Sequence, residues 1–152
     1  MKKLAFLVMI CSFAVSLGCG GSGEEGPEIL PVTGVITLDS EPLADADVTF
    51  FPVGETLGIG GFGRTDSEGK FELQYNRGGM GAPAGEYRVQ VSQRVMPDGS
   101  PVPADDDTPP IESPAVEKLP RKYSDPDNSQ LKATVTESET PIKFELESKK
   151  SR

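Results

Sequence analysis

Six short runs of alternating apolar and polar residues constrain this chain more than any other feature. VTGVITLD (32–39) places Val32, Gly34, Ile36 and Leu38 on one face. ADVTFFPV (46–53) sets Val48 and Phe50 against Thr49 and Phe51. KFELQY (70–75) sets Phe71, Leu73 and Tyr75 against Lys70, Glu72 and Gln74. EYRVQVSQ (86–93), LKATVTE (131–137) and PIKFELE (141–147) continue the pattern, with Tyr87, Val89, Val91, Leu131, Ala133, Val135, Ile142, Phe144 and Leu146 on their apolar faces. Successive side chains of a strand point to opposite faces, so period-two alternation marks a half-buried strand and does not suit a helix. A seventh strand is predicted over 62–65, among glycines. One apolar face per strand predicts an all-β chain: a seven-stranded antiparallel β-sandwich of Greek-key type, with two sheets packed face to face. Its inward side chains make core enough to stand without a disulfide or a metal.

The residues between the runs agree. DSEG (66–69) separates two of them, with Gly69 at the position where a hairpin connection needs a left-handed backbone. Ala84 and Gly85 open the EYRVQV strand, and Pro141 suits a strand start after ESET (137–140). Gly 17 and Pro 14 make about a fifth of the 152 residues, which favours turns over long helices.

Residues 1–18, MKKLAFLVMICSFAVSLG, have another texture: two lysines, an apolar run from Leu4 to Val15 broken by Ser12, then small residues. That order is a secretory signal peptide, and the run is shorter than the roughly 18–20 apolar residues that span a bilayer. Cys11 lies within it and is predicted to leave with it, so Cys19 is alone in the mature chain. A lone cysteine forms no intrachain disulfide. Without histidine or a second cysteine it also lacks partners for a thiolate zinc site. Glu24 and Glu25 are the reverse of the electropositive surroundings that activate a thiol.

LGCG (17–20) resembles instead the lipobox of bacterial lipoproteins, with Gly18 fitting directly before the cysteine and Ser16 where the pattern prefers Leu. The resemblance implies cleavage before Cys19, a diacylglycerol thioether on its sulfur, and N-acylation, as by palmitate. Two or three acyl chains anchor stably where one binds reversibly. An ordinary secreted protein is the alternative. Gly20 stands where the inner-membrane retention signal of enteric bacteria has Asp, so inner and outer membrane both stay open. GGSGEEGPEIL (20–30) has linker composition, which predicts a tether over 19–30 standing the domain off the membrane, a folded domain over 31–148 and a tail over 149–152.

Loss of residues 1–18 removes Lys2, Lys3 and no acid, taking the net charge from −9 to −11. Such an acidic chain is unsuited to nucleic acid, whose phosphates require Lys and Arg, and to docking on anionic lipid by charge. The chain has no histidine, the commonest general base and neutral metal ligand. It has no tryptophan, which weakens the case for a sugar-stacking site.

PVTGVITLDSEPLADADVTFFP, then GRTDSEGKFEL, then APAGEYRVQV resembles the carboxypeptidase regulatory-like family, whose fold is transthyretin-like (prealbumin-like). The points of likeness are Gly34-Val35, Glu41-Pro42-Leu43 with Ala46 and Val48, Thr65-Asp66, Gly69, Phe71, and Gly85-Glu86-Tyr87 with Val89. They cover residues 31–93, and a looser likeness continues to the end through a tail typical of small bacterial lipoproteins of unassigned function. These residues are turns and core, so the resemblance implies a fold and no particular activity. Hydrolases of ureide metabolism with this fold depend on histidines, which are missing here. Related pilin-type domains form Lys–Asn isopeptide bonds, but Asn76 and Asn128 do not fall mid-strand.

Residues 95–130 are the anomaly: eight prolines, eight acids and three bases, without periodicity. A connection this long is functional or disordered, and its composition favours disorder. Within it Asp105, Asp106 and Asp107 are weak candidates for Ca²⁺ ligands, without the spacing of an EF-hand. Leu119 and Tyr123 are expected to pack the end of the loop onto the domain; a ligand patch of Arg121, Lys122 and Tyr123 is the lesser reading. Ser92, Ser113 and Ser124 lack a base to activate them, and Asp45 and Asp47 are expected to be solvated. No catalytic residue and no cofactor is assigned. The resulting expectation is a lipid-anchored, extracytoplasmic, non-catalytic binding or scaffolding module, its partner an envelope protein or a glycan. A calcium- or carbohydrate-binding accessory module is the first alternative and a secreted hydrolase the second.

Overall fold

The computed structural model describes residues 26–103, 106–109, 111–138 and 141–148. Thirteen strands and one short helix follow in chain order. They are β1 (Ile29–Leu30), β2 (Thr33–Leu38), β3 (Glu41–Pro42), β4 (Asp47–Pro52), β5 (Gly61–Arg64), β6 (Lys70–Glu72) and β7 (Gln74–Tyr75). Then come β8 (Ala82–Pro83), β9 (Gly85–Ser92), β10 (Arg94–Val95), β11 (Val116–Glu117), α1 (Arg121–Ser124), β12 (Leu131–Val135) and β13 (Ile142–Leu146). The chain is all-β; five of the six alternating runs each form one strand within a residue or two of the expected bounds, and KFELQY forms two.

β12, β9, β4, β5 and β7 make a five-stranded antiparallel sheet in that order. β2 is the spine of a second, four-stranded sheet, with β13 as one neighbour and β3 and β6 as the others. Ile36 marks the seam between those two: its N–H donates to Gly69 O (2.8 Å), and its carbonyl accepts from Leu43 N–H (3.0 Å). β13 runs parallel to β2, from Ile142 beside Gly34 to Leu146 beside Leu38. This is the one pairing that departs from the expected antiparallel order. Parallel neighbours need a long crossover, and here most of the domain lies between them. β1–β8 and β10–β11 are two-stranded antiparallel pairs.

KFELQY behaves differently from a single strand of one sheet. β6 pairs with β2, whereas β7, one residue later, pairs with β5 of the other sheet. Leu73 sits at the switch, donating its N–H to Val32 O (2.9 Å) and accepting from Gly81 N–H. The alternation survives the switch, and Phe71, Leu73 and Tyr75 are all buried. Alternation sets which side chains face inward; it carries no information about which strand is the neighbour.

Side chains from both larger sheets meet in one core, with Ile36, Phe71, Phe144 and Leu146 from the second and Val48, Phe50, Val89, Val91 and Val135 from the first. Phe50 lies at its centre, its ring 6.3 Å from that of Phe71 and 5.6 Å from that of Tyr87, both tilted. Gly34 is required by this packing, because a Cβ there would stand 2.4 Å from the Phe71 ring and 2.5 Å from Ile142 O. Leu119 and Tyr123 join the same core, as expected. The Tyr123 hydroxyl accepts from Glu147 N–H (3.2 Å), just past β13. Gln90 Nε2 and Arg88 Nε donate to the carbonyls of Ser124 (2.7 Å) and Pro126 (2.9 Å), strapping the segment around α1 across β9.

Two measurements test this packing. Gly69 has φ of +73°, and an added Cβ would stand 2.4 Å from Ile36 O. Gly69→Ala is therefore expected to cost about 2–3 kcal/mol in chemical denaturation; a change within the error of the measurement would contradict the seam. Burial, with the neighbouring Tyr75 adding to it, pushes the Tyr87 phenol up to about 12, while its O–H donates to Pro83 O (2.8 Å). The fold thus favours the neutral phenol. Its contribution is complete below about pH 10, the ordinary tyrosine value, and is lost as pH rises through about 12. Tyr87→Phe should cost about 1 kcal/mol at neutral pH and make alkaline unfolding shallower by circular dichroism; equal steepness in both proteins would count against the assignment.

Candidate functional site

β9 runs the length of the domain and defines its two ends. Its first residue, Gly85, follows β8, the partner of the entering β1; its last, Ser92, pairs with Asp47 at the start of β4. The end away from chain entry gathers the turn before β4, the end of β5, and the strands β10 and β11. A groove of about 650 Å³ opens there. Arg64, Arg94, Lys118, Asp45, Asp106 and Gln93 supply its polar lining, with Val95, Pro101 and Val102 between them.

Each polar group is held by a specific contact. Arg64 and Asp47 are cross-strand partners, and Arg64 Nη1 meets Asp47 Oδ1 at 3.2 Å while its Nε lies 3.7 Å from Asp45 Oδ1. Asp45 and Asp47, expected to be merely solvated, thus share one guanidinium. All three side chains are exposed, so the pairing orients them more than it stabilises the fold. Arg94 Nη2 donates to Ala115 O (2.8 Å), tying β10 to the approach of β11. Gln93 Nε2 donates to Ala44 O (2.7 Å), and its Oε1 is buried with no hydrogen-bond partner among the described residues.

Glu117 organises the groove wall. Its Oε2 accepts from the Ser92 hydroxyl (2.5 Å) and its Oε1 from Gln93 N–H (3.1 Å) and Leu119 N–H (2.8 Å). Ser92 and Glu117 are the nearest approach to a nucleophile–base pair among the serines singled out. The carboxylate is committed to two backbone donors as well, which makes it a clip. Ser113 Oγ accepts from Ala115 N–H, and Ser124 Oγ donates to the carbonyls of Leu119 and Pro120. These hydroxyls support local backbone.

The remaining sequence candidates separate. Arg121, Lys122 and Tyr123 do not converge: Tyr123 is buried, Arg121 lies 3.6 Å from Asp125, and Lys122 Nζ sits 4.6 Å from the centre of the Tyr123 ring. The Lys122 ammonium is raised above its ordinary value, first by its contact with the Tyr123 hydroxyl. Asp105 and Cys19 lie outside the described residues. Hydrogen bonds from Thr108, with the charge of Arg94 adding to them, hold the Asp106 carboxyl below its ordinary value. Asp107 is exposed. Among the described residues no three His, Cys, Asp or Glu side chains gather as a metal site. Asn76 and Asn128 donate their amides to Ile59 O (3.2 Å) and Asp125 Oδ1 (3.3 Å).

Sequence reasoning missed the groove. Arg64, the pair Gln93 and Arg94, and Lys118 are scattered over three segments, and only the packing of the strands brings them together. The possible signal was the opposite charge of Asp47 and Arg64, legible once their hairpin is paired. No helix among the described residues is long and apolar enough to cross a membrane. No family model, no curated protein and no solved structure matches the chain.

If Glu117 is the clip, Glu117→Ala should release two backbone donors and a hydroxyl at once. Amide exchange at residues 93–95 and 116–119 is then expected to accelerate by about tenfold or more, roughly 1.4 kcal/mol per decade, with strands β2 and β9 still protected. Unchanged exchange at those amides would show that β10 and β11 hold without it.

Proposed function

We propose that this chain is a non-catalytic binding or scaffolding module of a bacterial cell envelope, extracytoplasmic and held to a membrane by lipid on Cys19. In this reading residues 1–18 are a signal peptide and a tether follows from Cys19, ending two residues earlier than expected because Ile29 and Leu30 pair with β8. The folded part up to residue 148 is a β-sandwich of the carboxypeptidase regulatory-like, transthyretin-like type with Greek-key connections. The common core of the two larger sheets supports that architecture. The anchor rests on LGCG after the apolar run and on the lack of any other use for Cys19.

One observation favours binding over catalysis: at the groove, the groups with chemical potential are spent on building its walls. Ser92 and Glu117 clip the end of β9 to β11, and Asp45 and Asp47 share the one guanidinium of Arg64. What this construction yields is a shaped polar recess of mixed charge at the end away from the anchor. Such a recess suits an envelope protein or glycan bearing both polar and charged groups.

Mass spectrometry of the mature N-terminus tests the anchor: a terminus at Cys19 carrying acyl mass is expected, and Cys19→Ser should release the protein from the membrane. An unmodified terminus, or one elsewhere, would remove the lipoprotein reading. Crosslinking and pull-down from native membranes tests the groove. Lys118→Glu, an exposed change on its wall, is expected to lower partner recovery about tenfold, roughly 1.4 kcal/mol, with unfolding unchanged. Equal recovery would exclude the groove, and a calorimetric response to Ca²⁺ or hits on a glycan array would favour the accessory-module alternative.

A further inference from the structure

Of the six large apolar side chains that are exposed among the described residues, three surround the end where the chain enters the fold, and a fourth, Phe62, adjoins them along the β5–β7 edge. The four are Leu57 (68% exposed), Ile59 (45%), Phe62 (47%) and Met80 (49%). Two loops carry Leu57, Ile59 and Met80, and close contacts place both loops beside β1. Gly58, between Leu57 and Ile59, lies so close that a Cβ there would stand 2.6 Å from the Tyr75 hydroxyl and 3.1 Å from Pro83, the cross-strand partner of Ile29. Gly81, next to Met80, packs directly on Leu30 O. Asn76 Nδ2 donates to Ile59 O (3.2 Å), joining the two loops. The first loop is further pinned to β9, because Thr56 Oγ1 both donates to Glu86 O (3.0 Å) and accepts from Glu86 N–H (2.8 Å). Phe62 and Met80 flank Gln74 in one row across the β5–β7 edge.

These apolar groups are therefore held outward by a braced scaffold. Contiguous exposed apolar surface marks a docking site, and the path of the chain says what covers it. Nine residues lie between Cys19 and Ile29, so the two are about 35 Å apart at most. If Cys19 carries lipid, the chain-entry end is confined to the bilayer surface and no other part of the fold is so confined. A short tether raises the local concentration of the surface to the millimolar range, where a few apolar side chains suffice. Charge selects the kind of surface. The two loops carry Glu55 and Arg77, Glu28 precedes β1, and the whole chain is at −9; no basic excess is available to favour anionic headgroups.

We infer that Leu57, Ile59, Met80 and the adjoining Phe62 form a membrane-docking platform that enters the interface of a zwitterionic bilayer. The domain then lies on the membrane by its entry end and points the groove of Arg94 and Lys118 away from it. This replaces the expected stand-off with a fixed orientation, and it rests on the lipid-anchor reading.

The chain has no tryptophan, so a single introduced one reports its own surroundings. All core residues lie between Val32 and Leu146, so the chain from Cys19 onward keeps the folded unit. That chain is coupled through Cys19 to a maleimide lipid in phosphatidylcholine vesicles with brominated acyl chains. Leu57→Trp, Ile59→Trp and Met80→Trp are compared with Ile111→Trp, whose site is 93% exposed. The first three should show blue-shifted emission and at least twofold more quenching than the fourth. Adding Leu57→Asp and Ile59→Asp should abolish the quenching at position 80, and phosphatidylglycerol vesicles should weaken it. Equal quenching at all four sites overturns the platform. So does a blue shift that needs no lipid and grows with protein concentration, which would assign the patch to a second copy. Because the coupling supplies the tether chemically, these results are separate from the mass of the cellular N-terminus, whose lack of lipid would overturn the anchor and not the docking.

Discussion

The contact of Phe50 with Phe71 and Tyr87 is the constraint on which the rest of this structure depends. Phe50 belongs to the five-stranded sheet and Phe71 to the four-stranded one, so the pair couples the two layers through their common core. Fixing Phe71 forces glycine at position 34, since the ring occupies the space a side chain would need. Glycine at 34 in turn lets β6 and β13 close on opposite sides of β2. Tyr87, held by its own hydrogen bond to Pro83, carries the packing to the entry end, where β8 receives β1. A chain with few aromatic residues and no tryptophan thus relies on three rings to set the spacing of its layers.

The long segment after β9 illustrates how a proline-rich, acidic stretch acquires order without periodicity. No run within it alternates, and its composition alone favours disorder. Two apolar anchors, Leu119 and Tyr123, and a single carboxylate, Glu117, give its described part fixed positions. Hydrogen bonds from Gln90 and Arg88 then strap it across β9. The acids that looked like candidate ligands or catalysts serve in the same way, Asp106 within its own turn and Asp45 and Asp47 around Arg64.

The two ends of the domain differ in chemistry. The entry end exposes Leu57, Ile59 and Met80 beside β1; the far end presents a mixed-charge groove. β9 spans both and is paired along its whole length with β12 or β4, which ties the two ends into one sheet. With an anchor at the N-terminus, this division would assign one end to lipid and the other to a partner, and the orientation would follow from covalent connectivity.

The sequence by itself determined the inward and outward faces. Alternation in six runs is a local property of the extended backbone, so the strands, the all-β class, the buried set from Val48 to Leu146 and the left-handed Gly69 were all legible from it. The anchoring of Leu119 and Tyr123 was legible too, as the apolar pair in a polar stretch. Tertiary structure alone decided the neighbours. Nothing in KFELQY announces that its halves serve different sheets, and nothing in PIKFELE announces a parallel partnership with β2. The groove and the apolar platform were hidden for the same reason, being assembled from residues far apart in the chain. Side-chain direction is settled by each residue's own backbone, whereas proximity is settled by the packing of all strands at once.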